Sequence, residues 1–380
     1  MQKLRVRPPF SSLHAHEVFA VEHDRVQLCV RPGIGRAVVR LAGQVIEAET
    51  VAGVAVFWVD GLFPNTTYIA QIDTPAGASL GSLTFRTKSP LAGRTTKFAT
   101  ISDVHLGLHD FTSISSISEP KNTESPFALR CATAAIREAI DWGAELLLIK
   151  GDLTDGGKAD EWDLAHSLLD DLPIPVMVTW GNHDVWKDRD VEPQDIAASF
   201  GLDPGPIVTT DLDNIRIILA DTSIPDRGRG DLDQHREELF ELMATDRPVF
   251  LGIHHNIMRT PKPWFLPYGV PSNNAATFLD ALPAVNRNVF ISSGHTHRNR
   301  RHFLGNRGEI TFTEVSATSD YPGVWAGYEV SDQVVRQTVR RTAVPNALEW
   351  SEYARGALLG VWPRWAQGLL DDRSVDMAIR

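Results

Sequence analysis

The chain reads as two folded units in series: a small all-β sandwich, then a larger α/β domain. Three observations carry that reading. Apolar residues alternate with period two up to about residue 87, a Pro- and Gly-interrupted stretch follows at 88–95, and beyond it strand-like apolar runs alternate with helical ones. At 380 residues the chain is also longer than one ordinary hydrophobic core supports.

The first unit, residues 1–90, contains the short alternating runs VQLCV, GRAVVRLAG, QVIEAE, VAVFWVDG, TTYIAQID and SLTFRT. Turns every 8 to 12 residues between such runs indicate a β-sandwich. In GLFPNTTYIAQI, Tyr68 opens a strand after Leu62 and a Pro-Asn turn. That stretch resembles the tyrosine-corner region of fibronectin type III domains, although any small antiparallel sandwich shows the same alternation. The unit clusters no catalytic residue types, which leaves packing, positioning or recognition as its role.

KSPLAGRT, residues 88–95, reads as a linker. The second unit, residues 96–345, supplies the strand candidates KFATIS, AELLLIK, IPVMVTW, IRIILA, PVFLGI and NVFIS. Ser125 and Pro126 form an N-cap and first-turn pair for a helix with Leu129, Ala132, Ile136, Ala139 and Ile140 at helical spacing. A second helix starts near Asp233, with Leu239, Phe240, Leu242 and Met243 on its apolar side. Strands return in GEITFTEV, GYEVSD and VVRQTVRR. Residues 346–380 read as a helical tail carrying Trp350, Trp362 and Trp365, expected to dock on the preceding domain; a contact between copies of the chain in a homo-oligomer, or a membrane-surface helix, is the alternative.

Composition narrows the function classes. A 43% apolar and 22% charged chain is that of a soluble globular protein. The net charge of −11 works against sequence-blind nucleic-acid binding. Two cysteines, Cys29 and Cys131, fall in different units and do not make a disulfide framework. With no 18-residue apolar stretch and no signal-like amino terminus, the expected location is cytoplasmic.

Five short clusters sit where strand candidates end, the place where open α/β sheets bind ligands. Asp103-Val104-His105 follows KFATIS, and Gly151-Asp152 with Asp155 follows AELLLIK. Gly181-Asn182-His183-Asp184 follows IPVMVTW, His254-His255 follows PVFLGI, and Gly294-His295-Thr296-His297 follows NVFIS. One D-x-H or H-x-H alone is weak. Five behind apolar runs, each offering only Asp, Asn or His, require every bland explanation to hold at once.

The order Asp-x-His, Gly-Asp-x-x-Asp, Gly-Asn-His-Asp, His, Gly-His-x-His resembles the calcineurin-like metallophosphoesterases over about Lys97 to Arg301. That resemblance implies a two-sheet sandwich flanked by helices and a pair of metal ions, with manganese, iron, zinc and nickel all suited to His, Asp and Asn ligands. It further implies that Asp103, His105 and His297 serve one metal, Asn182, His254 and His295 the other, and that Asp152 bridges them. His183 is the expected general acid, oriented by Asp184, and Asp155 is expected to hydrogen-bond a ligand imidazole. His254 and His255 cannot face the same way on one strand; by analogy His254 is the ligand and His255 a neighbour in contact with substrate. The segment from Asp221 to His255 looks like the class III cyclic nucleotide phosphodiesterases and their glycerophosphodiesterase relatives.

The expected function is therefore hydrolysis of a small phosphodiester by a metal-bridging hydroxide. Phosphomonoesterase activity is the alternative on the same centre. A nuclease reading rests on Arg298, Arg300 and Arg301, and a non-catalytic scaffold is disfavoured because every expected ligand type is present. A ligand Tyr in place of Asp155 would mark purple acid phosphatases, and an Arg in place of Gly156 the protein phosphatases. Trp264, Phe265 and Tyr268 are candidates for stacking on a nucleobase.

Overall fold

The computed structural model describes residues 16–33, 35–111, 117–119, 125–203, 205–258, 268–305 and 308–380. Trp264, Phe265 and most of the 108–124 segment lie outside them. No described helix is long and apolar enough to cross a membrane. Both cysteines are buried and unpaired.

Seven strands open the chain: β1 (Glu17–Val21), β2 (Val26–Val30), β3 (Arg36–Leu41), β4 (Gln44–Glu49), β5 (Ala55–Val59), β6 (Thr67–Asp73) and β7 (Ser79–Arg86). They pair antiparallel as β1-β2-β5 and β4-β3-β6-β7, and the two sheets enclose a core that includes Leu28, Val39, Phe57, Leu62 and Phe85. Tyr68 Oη accepts the Phe63 N–H at 2.8 Å, five residues upstream.

The α/β part begins with β8 (Thr96–Ile101), the two-residue strands β9 (Asp110–Phe111) and β10 (Ile117–Ser118), α1 (Phe127–Asp141), β11 (Leu147–Lys150), α2 (Ala159–Leu169) and β12 (Val176–Thr179). It continues through α3 (Pro193–Ala197), β13 (Ile207–Leu212), β14 (Ile215–Ala220), α4 (Arg236–Met243), β15 (Val249–Ile253), α5 (Ser272–Val285) and β16 (Val289–Ser293). Four strands, β17 (Arg300–Leu304), β18 (Ile310–Glu314), β19 (Val324–Val330) and β20 (Val334–Arg341), precede α6 (Pro345–Ala354), α7 (Ala357–Gly360), α8 (Trp362–Ala366), α9 (Leu370–Arg373) and β21 (Ser374–Ala378).

Two six-stranded mixed sheets result, ordered β12-β11-β8-β19-β20-β21 and β13-β14-β15-β16-β18-β17. Strand periodicity explains how they stack. Leu146 and Leu148 of the β11 run, Phe98 of β8, and Ile217, Leu219, Phe250 and Phe290 of the opposing strands fill the space between the sheets. The intervening residues Leu147, Ile149, Ala99 and Ile101 face α1 and α2, and Ile218, Leu251 and Ile291 face α4 and α5. Phe98 stacks on Tyr328 at 4.7 Å and meets Phe250 edge-on at 5.0 Å, which ties the two sheets together.

Two local expectations change. Ser125 does not cap α1: the Phe127 N–H is taken by Glu119 Oε2 at 2.7 Å, a residue brought in by the preceding loop. The tail is not helical throughout either. Its last run, SVDMA, buries Val375 and Met377 and exposes Asp376, and it pairs antiparallel with β20 as an edge strand. A five-residue alternation with no turn signal ahead of it reads poorly as a strand in sequence; the open edge of β20 decides its state.

The N-terminal sandwich is joined to this body by buried polar contacts. The Gln27 side chain exchanges two hydrogen bonds with the Arg341 backbone, Arg340 pairs with Glu22 at 2.9 Å, and Arg373 donates to the carbonyls of Phe19 and Val18.

Candidate metal centre

The carboxyl ends of β8, β11 and β12 in one sheet and of β15 and β16 in the other open onto a common spot. Lys150, at the end of β11, spans the gap: its ammonium donates to Ser292 Oγ at 3.0 Å and Ser293 O at 2.8 Å of β16. Burial lowers its pKa to about 7, with Asp103 opposing that shift. An isolated Lys in the apolar run LLIK was the visible sign of it.

The loops leaving these strands bend sharply. Asp103, His105, Asp152, His295 and His297 all have positive φ, between 49° and 65°. Non-glycine residues seldom adopt this conformation, and it concentrates where surrounding structure imposes it for function. The motif glycines serve close approach: a Cβ on Gly181 would overlap Asp152 Oδ1, and one on Gly294 would overlap Asp103 Oδ2.

All seven expected ligands come together, each no more than lightly exposed. Asp152 Oδ2 is 3.7 Å from His105 Nε2 and 3.2 Å from His254 Nε2, so it lies between the two halves. On one side His297 Nε2 is 3.3 Å from Asp103 Oδ1 and 3.3 Å from His105 Nε2. On the other, His254 Nε2 is 3.3 Å from Asn182 Oδ1 and 3.2 Å from His295 Nδ1.

Donor counting tests whether cations fit here. His254 Nδ1 faces Lys150 O at 2.9 Å and His295 Nε2 faces Tyr268 O at 2.9 Å; a carbonyl only accepts, so both nitrogens carry the proton. His105 Nδ1 faces Asp155 Oδ1 at 3.2 Å and His297 Nδ1 faces Asp320 Oδ2 at 2.5 Å, with the same consequence. In the neutral imidazoles the inward nitrogens are then lone pairs, meeting in two pairs at 3.2 and 3.3 Å beside carboxylates. Lone pairs so arranged repel unless a proton or a cation lies among them, so the donor set fits metal ions. Where no cation is bound a proton takes that place: burial opposes protonation of His254, yet Asp152 and Asp103 raise its pKa to about 9, while burial and the neighbouring His254 drive His295 down to about 3. Asp103 and Asp152 stay well below the carboxylate range despite burial, held there by imidazoles.

Around the ligands, two expected roles are corrected. Asp184 does not reach His183. Its Oδ1 accepts from Thr154 N and Thr154 Oγ1, and its Oδ2 from Gly181 N and Leu153 N, so it pins the β11 loop to the β12 loop. The partner of His183 is Asp155: His183 Nδ1 donates to Asp155 O at 2.7 Å and lies 3.4 Å from its carboxylate. Asp155 also backs His105, as expected. Burial disfavours charge on His183, but Asp152 and Asp155 raise its pKa to about 10; a cation beside Asp152 would offset part of that attraction. The imidazole of His183 is 38% exposed, against 0% for His254, so it is the histidine of the group most open to a substrate.

His255 is fully buried, so its ring is not open to a substrate as the sequence leads one to expect. Its Nδ1 is 2.9 Å from Thr222 Oγ1, Gly230 packs on its ring, and burial with the neighbouring imidazoles holds its pKa well below the usual value. Arg298 is occupied: it makes a two-pronged bond to Glu314 and stacks on Trp365. Arg301 is 3.6 Å from Asp371. Asp320 stands outside the five clusters legible in the sequence; it lies six residues beyond the end of β18, in the loop that leaves that strand.

A two-sheet α/β sandwich that gathers a cluster of Asp, Asn and His at its strand ends is the framework of a metal-dependent hydrolase. Residues 96–299, more than half the chain, match the calcineurin-like phosphoesterase family, and the chain belongs to it: it is a metal-dependent phosphoester hydrolase. Over 219 residues it is 25% identical to a probable cyclic nucleotide phosphodiesterase of Psychrobacter arcticus, covering 54% of this chain and 75% of that protein. Over 159 residues it is 25% identical to the 3',5'-cyclic adenosine monophosphate phosphodiesterase CpdA of Pseudomonas aeruginosa, covering 40% of this chain and 54% of that one. Among solved structures, a dimetal phosphatase from Danio rerio aligns with TM-score 0.49 and 14% identity, over 66% of this chain and 96% of that one. The purple acid phosphatase PPD1 of yellow lupin (Lupinus luteus) aligns with TM-score 0.47 and 12% identity, over 87% and 72%.

Proposed function

We propose that the protein is a phosphodiesterase acting on a small diester, a cyclic nucleotide first and a glycerophosphodiester next, through two metal ions that share Asp152. The observation that carries the dinuclear reading is the position of Asp152 Oδ2 between His105 Nε2 and His254 Nε2. Asp103, His105 and His297 would hold one ion, and Asn182, His254 and His295 the other. When bound, such a pair supplies Lewis acidity toward an attacking water and offsets charge on the phosphoryl oxygens. The diester preference is supported by the relatives described as cyclic nucleotide phosphodiesterases.

The chain's own groups then divide the work. His183, fixed through Nδ1 by the Asp155 carbonyl, presents Nε2 as proton donor to the departing alkoxide. Asp155 holds both His183 and His105, and Asp184 keeps the two loops in register. His183→Gln is expected to lower kcat by about 10²- to 10⁴-fold while leaving bound metal unchanged. Metal analysis beside steady-state kinetics checks this; loss of an ion along with the activity would make His183 a ligand instead.

Hydrolysis of bis(p-nitrophenyl) phosphate and cyclic AMP with added manganese tests the substrate class. Turnover of both is the expected result; turnover of p-nitrophenyl phosphate with neither diester cleaved moves the protein to the monoesterases. We also infer that the seven N-terminal strands are a fibronectin type III-like sandwich, supported by the three-plus-four division of the sheets and the Tyr68–Phe63 hydrogen bond.

A further inference from the structure

The family match ends at residue 299, yet groups that fix the final histidine pair lie beyond it. His297 directs Nε2 at Asp103 and His105 and Nδ1 at Asp320 Oδ2, 2.5 Å away. Asp320 has no exposed surface, and its second oxygen accepts the indole N–H of Trp362 in α8 at 3.2 Å. The surrounding contacts point the same way. Trp365 donates to the carbonyl of Thr296, between the two ligands, at 2.9 Å. The Asn299 backbone N–H donates to Ala366 O at 2.9 Å, and its side-chain amide reaches Ala366 O and Gln367 O. Ser319 Oγ donates to the Asp103 carbonyl at 2.8 Å and is itself adjacent to the Trp350 indole, which donates to Ser319 O. The loop bearing His295 and His297 is thus clamped to the C-terminal tail on several sides.

We propose that Asp320, held by Trp362, is a positioning residue for His297, and that the tail thereby sets how tightly the Asp103–His105–His297 half of the centre holds its ion. The inference rests on the dinuclear reading given above. A carboxylate behind a ligand imidazole keeps the proton on the outer nitrogen, points the inner lone pair at the metal and makes the ligand more basic. The imidazoles of the other half are backed by the carbonyls of Lys150 and Tyr268, which Asp320 does not touch. Removing Asp320 therefore acts on one half alone.

The test is a titration of the metal-free full-length chain with cobalt(II), read by equilibrium dialysis and by the visible spectrum of the bound ion, for wild type, Asp320→Asn, Asp320→Glu and Trp362→Phe. Wild type is expected to bind two ions. Asp320→Asn is expected to weaken one of them by about 10- to 100-fold and leave the other unchanged. Asp320→Glu recovers part of the loss, and Trp362→Phe weakens the same ion by a smaller factor. Two ions bound by Asp320→Asn with wild-type affinities, or both weakened alike, overturns the inference while the dinuclear reading stands. A wild-type chain that binds fewer than two ions overturns both. Should Asp320→Asn fail to fold, Trp362→Phe decides: unchanged affinities and spectrum overturn the proposal.

Discussion

Asp152→Asn is expected to lower kcat/KM on a phosphoester by about 10³-fold or more and to leave the chain with fewer than two tightly held ions. Asn is nearly isosteric with Asp and can still accept the His183 N–H that Asp152 Oδ1 now accepts at 2.9 Å, so the loop should keep its course. What disappears is the charge lying between His105 Nε2 and His254 Nε2. The contribution of a metal pair to charge stabilisation in the transition state is several kcal/mol, and each 1.36 kcal/mol is tenfold in rate. Kinetics together with metal analysis measure both parts. Activity within about tenfold of wild type would mean that Asp152 is not shared between ions.

The second large effect concerns stability. Glu352, in α6, lies 2.6 Å from Arg341 and 2.8 Å from Arg31; the Arg341 side chain is fully buried and that of Arg31 is 8% exposed. It therefore joins the N-terminal sandwich to β20 and the tail. Glu352→Ala strands two guanidinium groups without their shared carboxylate, and removing one partner of a buried pair costs about 3–5 kcal/mol. Denaturation by urea checks this, and a loss below about 1 kcal/mol would contradict it. The same group has a pH signature. Burial opposes its charge, but Arg341 and Arg31 bring its pKa from the usual 4.5 down to about 2. A depressed carboxyl stabilises the fold above its unfolded value and loses that contribution as pH falls toward the folded one. Its share, about 3 kcal/mol as an upper figure, is present above pH 4.5 and fades between there and pH 2. In Glu352→Gln this component of the acid limb should vanish.

Sequence made the candidate ligands legible because two separate rules coincided on them: residue type and position at a strand end. The β8, β11, β12, β15 and β16 runs are buried over most of their length, so apolar composition located them, and the Asp, Asn and His following each could be listed without coordinates. Partner choice was not legible. Asp184 sits next to His183 in the chain, yet its oxygens are spent on amides 3 and about 30 residues away, while Asp155, reached across the loop, holds the imidazole. Adjacent residues on a bent loop point apart, and which donor a carboxylate meets is decided by how two loops approach. Asp320 illustrates the same limit: its bond to His297 spans 23 residues, and its bond to Trp362 spans 42. The left-handed backbone at five of the candidate ligands has no clear signature in residue type either, since Asp and His are not the glycines that usually mark it.

The proposed centre has seven side chains gripping two ions around Asp152. Anomalous diffraction from crystals grown with manganese tests it most directly. Two peaks about 3.5 to 4 Å apart are expected, with Asp152 between them, Asp103, His105 and His297 around one, and Asn182, His254 and His295 around the other. A single peak, or peaks away from these side chains, would contradict it.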